Sequence, residues 1–155
     1  SVIYTNDITL DSILNVECKK ATLAHIQYSV KVQNITEPLN ISPADKSTIL
    51  CNVIDNAIEA SSNMKDGFIV IDISSDKQYI KIYIENSSTP IHIKNGTIAT
   101  TKKNNLFHGL GMKSIKQAIK KYNGHFNISY NDGIVATTIL LENKSQSAVS
   151  QSSIN

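Results

Sequence analysis

The stretch over residues 43–61 constrains this chain more than any other. Ile49, Leu50, Val53, Ile54, Ala57 and Ile58 recur at helical spacing and make one continuous apolar stripe. Ser42-Pro43-Ala44-Asp45 gives that helix its start, with serine as cap, proline in the first turn and an acid at the positive end. At about 100° per residue, Asn52, Asp55, Asn56 and Glu59 gather on the side opposite the stripe. Such a helix buries one side against a sheet and presents two amides and two carboxylates on the other. A solvated polar face is the plain explanation, because most amphipathic helices have one. Solvated faces favour Lys, Glu and Gln, however, whereas Asn and Asp are poorer helix formers. An amide oxygen can also ligate Mg²⁺ while a neighbouring carboxylate orients its waters. On this helix alone both readings stand.

The flanking sequence supplies partners for the apolar stripe. Residues 9–24 carry Leu10, Ile13, Leu14 and Ala21 at helical spacing, and Ile26, Tyr28, Val30 and Val32 then alternate as a half-buried strand does. Pro38 and Pro43 bracket a loop. Strands are expected over 68–74 and 79–85, about the turn Ser75-Asp76-Lys77. Periodicity then lapses over 86–107, a stretch rich in Ser, Thr, Asn and Lys, of the length that marks a lid or binding loop. Helical spacing resumes at Met112, Ile115 and Ile119 and stops near Asn123-Gly124. Residues 126–130 and 134–141 form a hairpin around Asn131-Asp132-Gly133. From Asn143 the chain is polar and expected to be a disordered tail. Hairpins with helices on one face give an α+β sandwich, and no Gly-rich strand-to-helix turn supports a doubly wound fold.

Composition narrows the chemistry. A hydrophobic fraction of 41% and a charged fraction of 18% over 155 residues suit one globular domain rather than a disordered chain. The net charge of +2, with no dense basic run, argues against a nucleic-acid partner. All 15 cations are lysines, so a phosphate site must use lysine, backbone amides or a metal instead of an arginine fork. Cys18 and Cys51 lack metal-ligand spacing, and Cys51 is expected to be a buried reduced thiol. No signal peptide or membrane span is legible, which points to the cytoplasm, with room for a membrane anchor upstream.

A second cluster lies where the long loop becomes a helix: His108-Gly109-Leu110-Gly111-Met112-Lys113-Ser114. Glycines there allow close backbone approach, and free amides at a helix start favour an anion. A plain hinge has the same letters. Lys102 and Lys103, beside Thr100 and Thr101, could close over a triphosphate and exclude water.

Together these residues resemble the GHKL superfamily, the nucleotide fold of histidine kinases, DNA gyrase and Hsp90. Asn52-Val53-Ile54-Asp55-Asn56-Ala57-Ile58-Glu59-Ala60 looks like its N box and Gly109-Leu110-Gly111-Met112 like its second glycine box. The likeness spans residues 11–141 and is nearest in wording to the kinases of peptide-pheromone quorum sensing. It implies a Bergerat-type α/β sandwich, with a mixed, mostly antiparallel sheet, about three helices on one face and a lid over 87–108. Residues 1–142 would then be the ATP-binding catalytic domain of a sensor histidine kinase, and 143–155 a tail.

The resemblance also implies roles. Asn56 would coordinate Mg²⁺, Asn52 would sit beside the phosphates of ATP, and Asp55 and Glu59 would line the same pocket. His108, Gly109, Leu110, Gly111 and Met112 would bracket the phosphates, with Lys102 or Lys103 reaching them from the lid. Where the superfamily carries Asp-x-Gly-x-Gly for adenine, this chain has Glu85-Asn86-Ser87-Ser88-Thr89, which gives the adenine contact to Asn86, then Glu85. Superfamily ATPases place a glutamate base where Asn52 stands, and an amide cannot abstract a proton. His25, His92, His108 and His125 lack the helical context of a phosphoacceptor. The expected partners are thus a histidine-bearing dimerisation domain of the same protein and a response regulator, with a monomeric isolated domain and a homodimeric full-length protein. The alternatives are a regulatory module that senses ATP or has lost it, another ATPase of the superfamily, or an anti-sigma serine kinase.

Overall fold

The computed structural model describes residues 2–94, 97–98 and 109–144, with side chains for all of these except 94, 97, 98, 109 and 110. Among the described residues, three helices, α1 (Ile8–Leu23), α2 (Pro43–Ser62) and α3 (Gly109–Lys121), accompany seven strands. The strands are β1 (Gln27–Gln33), β2 (Phe68–Ser75), β3 (Tyr79–Ser87), β4 (Ile93–Lys94), β5 (Thr97–Ile98), β6 (His125–Asn131) and β7 (Ile134–Glu142). Five of them form one sheet in the order β1-β2-β3-β7-β6. Only β1 and β2 run parallel, joined through α2, and the other neighbours are antiparallel. This is the expected α+β sandwich.

Period-two alternation makes the sheet two-sided. Ile69, Ile71 and Ile73 of β2 and Ile80, Ile82 and Ile84 of β3 are at most 1% exposed, and they pack with the apolar stripes of the three helices. Each such side chain contributes about 1.5–3 kcal/mol by leaving water. The β6–β7 hairpin turns through Asp132 and Gly133, at φ 48 and 84, the left-handed pair a two-residue hairpin turn requires. The β2–β3 turn is held by the Asp76 carboxylate, which accepts from the backbone N–H groups of Gln78 and Tyr79 at 2.7 Å. His25 occupies the left-handed position (φ 58) that ends α1, with Ile26 N–H donating back to Ala21, so it is a capping histidine.

One buried ion pair orders the start of the domain. Asp7 caps α1, and its Oδ1 accepts from the Leu10 N–H at 2.9 Å. Its Oδ2 accepts from the Leu39 N–H at 2.8 Å and from Lys46 Nζ at 2.7 Å. Both residues are buried, so α1, the loop over 34–41 and the first turn of α2 meet at one carboxylate. Burial alone would raise the Asp7 pKa, but the Lys46 and backbone hydrogen bonds outweigh it and hold the carboxyl below its ordinary value.

The structure corrects the sequence reading in several places. Part of the stretch expected to lack structure is paired, as β4 with β5, and β3 continues through Asn86 to Ser87. Asn143, assigned to the tail, is fixed in the fold: its N–H donates to the Gln78 carbonyl at 2.8 Å and its side chain bridges Ser75 and Asn40. Cys51 is half-buried rather than buried, and burial raises its thiol pKa. The rest of the tail lies outside the described residues. Among the described residues, no helix is long and apolar enough to cross a membrane.

Replacing Lys46 by Met leaves the Asp7 carboxylate buried without its cation, and about 3–5 kcal/mol of unfolding free energy should be lost in urea denaturation at pH 7. Because the folded pKa of Asp7 is depressed, its contribution is complete above the unfolded value near 3.8 and fades as pH falls through the folded one. The wild-type advantage over the variant should therefore shrink in acid.

Candidate functional site

The two ends of α2 are fixed differently. At its start, Ser42 Oγ accepts from the Asp45 N–H at 3.1 Å, as the cap sequence predicts. Asp45 Oδ2 then accepts from Tyr122 OH at 2.6 Å and from Lys121 Nζ at 3.0 Å, while Tyr122 OH accepts from the Ser42 N–H. Burial pushes the Asp45 carboxyl up, but these hydrogen bonds prevail and lower it. The first turn of α2 is thereby clamped to the end of α3. At about 100° per residue, Asn52 and Asn56 lie within about 20° of Asp45 around the helix, so they face the α3 side. Gly109 lies twelve residues from Lys121 in α3 and Asn56 eleven from Asp45 in α2, so the two are carried a similar distance along their helices from that clamp.

Both amides are half-buried. Asn52 Nδ2 donates to the Thr48 carbonyl at 2.6 Å, which leaves its oxygen directed away from the helix. Asn56 has no hydrogen-bond partner among the described residues. Gly111 lies in the first turn of α3, and a Cβ there would meet no atom of the described residues within 4 Å. Packing among the described residues gives no reason for a glycine at this position.

Asp55 departs from this group. It sits toward α1, its Oδ1 3.0 Å from Lys20 Nζ, and the same ammonium lies 3.0 Å from Glu17 Oε1. Asp55 is thus engaged with α1 rather than gathered with the two asparagines, because it falls about 60° to the other side of Asn52. Glu17 is 1% exposed and its Oε2 has no partner among the described residues. Burial, then the neighbouring Asp55 carboxylate, raises Glu17 to about 7, against the pull of Lys20. Glu59 is exposed, and its side chain has no hydrogen-bond partner among the described residues.

At the sheet, alternation separates the two candidates for base contact. Asn86 shares the inner face with Ile80, Ile82 and Ile84 and is 3% exposed. Glu85 points from the outer face and accepts a hydrogen bond from Tyr83 OH, which removes it from the pocket side. Met112 is half-buried against the core, as an apolar helix residue would be. Gly109 and Leu110 fall in the first turn of α3, while Lys102, Lys103 and His108 lie outside the described residues. Sequence reasoning missed Asp7, Lys46, Tyr122, Ser61 and Ser87. A lysine at position 46 and a serine at position 61, both in phase with the apolar stripe, were the available signals.

A cavity of about 270 Å³ lies at the opposite end of the sheet, between the loop after β1 and the β2–β3 turn. The side chains of Asp76 and Asn143 that line it are already occupied by the turn, so it presents little unsatisfied chemistry.

The profile of the GHKL domain family matches residues 41–142. Among solved structures, the catalytic domain of histidine kinase ThkA superposes with a TM-score of 0.71 at 18% identity, covering 89% of this chain and 93% of that one. The mycobacterial sensor histidine kinase MprB gives 0.63 at 17% identity, covering 87% and 96%. ThkA in complex with the response regulator TrrA gives 0.67 at 16%, covering 91% of this chain and 41% of that one. At these identities the likeness is one of fold. No curated protein sequence matches this chain.

The Glu17 environment generates a pH prediction. Its folded pKa, raised to about 7, means that its stabilisation is complete below the unfolded value near 4.5 and is lost as pH rises through 7. Unfolding free energy should fall over that window in the wild type, and Glu17→Gln should flatten the fall in urea titrations at matched pH.

Proposed function

The chain belongs to the GHKL domain family, and from that premise we propose that it is the ATP-binding catalytic domain of a histidine kinase, which presents Mg·ATP to a histidine on another domain. What supports this reading is that two half-buried amides share the side of α2 that Asp45 clamps to α3, a helix with a glycine-bearing first turn, while a buried asparagine lies on the inner face near the end of β3.

The donor set fits the groups invoked. Asn56, with no partner of its own among the described residues, is suited to hold Mg²⁺ through its oxygen, a hard donor. A metal held there would supply neutralisation of the phosphate charge. Asn52 faces the same side with its oxygen free of the helix. The open space at Gly111 admits a phosphate to the helix start, where backbone N–H groups and the helix dipole favour an anion. Asn86 stands where the base would lie, at the inner end of β3. Lys102 or Lys103 would reach the phosphates from the preceding loop.

The chain's own contribution is positioning. Its amides and helix start hold the triphosphate in line for an incoming imidazole, and Asn52, being an amide, takes no proton from water. That favours transfer to a partner over hydrolysis. The imidazole would come from a dimerisation domain of the same protein, and the ThkA complex with TrrA supports a response regulator as the next acceptor. The wording of the N box and of His108-Gly109-Leu110-Gly111 supports a pheromone-receptor subtype. Two free thiols suit the cytoplasm, where ATP is found.

Asn56→Ala should weaken binding of Mg²⁺ with a non-hydrolysable ATP analogue by at least about tenfold, or 1.4 kcal/mol, in equilibrium titration. Metal-free binding should change far less. Unchanged affinity with Mg²⁺ present would remove Asn56 from the metal site.

A further inference from the structure

The end of β3 holds a closed polar network. Asn86 Nδ2 donates to the Ser87 carbonyl at 3.1 Å. The same carbonyl accepts from Ser61 Oγ, at the end of α2, at 2.8 Å. The two serine hydroxyls lie 3.0 Å apart, and the Phe68 N–H donates to Ser87 Oγ at 3.0 Å. Ser61, Asn86 and Ser87 are 1%, 3% and 6% exposed. Gly67 completes the arrangement, since a Cβ there would stand 2.5 Å from the Ser61 carbonyl oxygen.

The network holds the Ser87 peptide from two sides. Ser87 Oγ accepts from the Phe68 N–H, and the Ser61 hydroxyl reaches two carbonyls, that of Ser87 at 2.8 Å and that of Phe68 at 3.1 Å, so the Ser87 carbonyl is fixed in place. That carbonyl can only accept, so the Asn86 amide must turn its NH₂ toward it. Oδ1 is left on the other side, and among the described residues it accepts no hydrogen bond. A carboxylate would need no such arrangement, because both of its oxygens accept. An asparagine does need it, since a flipped amide would present a donor.

We propose that Ser61 and Ser87 are positioning residues for base selection: they lock the Asn86 amide with its oxygen outward, as an acceptor for an exocyclic amine. A base with a carbonyl in that place would set two acceptors against each other, and it would be rejected. This rests on the reading that the base lies against Asn86, and it adds how an amide does there what a carboxylate would do unaided.

The test compares ADP with IDP, which differ at position 6 of the purine by an amine against a carbonyl. Calorimetric titrations use the whole chain with Mg²⁺. The wild type should favour ADP by about tenfold or more, the scale of one unpaired buried polar group. Ser61→Ala should reduce that ratio by at least about fivefold while leaving inorganic pyrophosphate binding unchanged, because the phosphate contacts lie elsewhere. Should Ser61→Ala fail to fold, Ser61→Cys keeps the size with a weaker donor and should give an intermediate ratio. Equal binding of ADP and IDP by the wild type, or an unaltered ratio in a folded Ser61 variant, would overturn the proposal alone. Binding of neither nucleotide would overturn the site reading beneath it.

Discussion

Every distance at the candidate site is set by where α2 begins, and that is fixed by the buried pair of Asp7 and Lys46. A carboxylate taken out of water is costly unless cation and hydrogen bonds replace its hydration, and Asp7 receives both. The pair leaves little freedom in the placement of α1 against α2. With the Asp45 clamp to Lys121 and Tyr122, it also sets the rotation of α2. Rotation is what matters, because a helix sorts its residues by angle: Asp55 goes to α1 and the two asparagines go to α3. Asp55 and Asn56, adjacent in sequence, thus have different neighbours.

The site relies on amides where carboxylates would also be possible. Asparagine oxygens bring dipoles without net charge to a place proposed to accept phosphates, and Glu59 is a carboxylate on that helix face with no partner among the described residues. The compensating requirement is orientation, since an amide has a donor end and an acceptor end. Asn52 is oriented by its own helix through Thr48 and Asn86 by the serine network. Asn56 has no hydrogen-bond partner among the described residues to orient it.

Much of the fold was legible because its periodicities are clean. The isoleucine alternation of β2 and β3 and the stripe of α2 gave the sandwich, and the Asp-Gly turn gave the hairpin. Strand alternation alone would have separated Asn86 from Glu85. What stayed hidden depends on contacts far apart in sequence. Nothing in the local pattern singles out the partners of Asp7, Lys46 or Ser61. Only packing shows that 7, 39 and 46 share one carboxylate, or that 61, 68 and 87 share one network. The Asp55 pairing with Lys20 was not legible because a helical projection groups residues by angle without saying which neighbouring helix stands on each side.

The central claim is the location of the nucleotide, and side-chain amide resonances report on it directly. In a ¹⁵N-labelled chain titrated with a non-hydrolysable ATP analogue and Mg²⁺, shifts should concentrate on the side-chain amides of Asn52, Asn56 and Asn86 and on the backbone of Gly111. Asn34 and Asn143, at the far cavity, should stay still. Shifts confined to that far cavity, or none at all in a folded chain, would contradict the account.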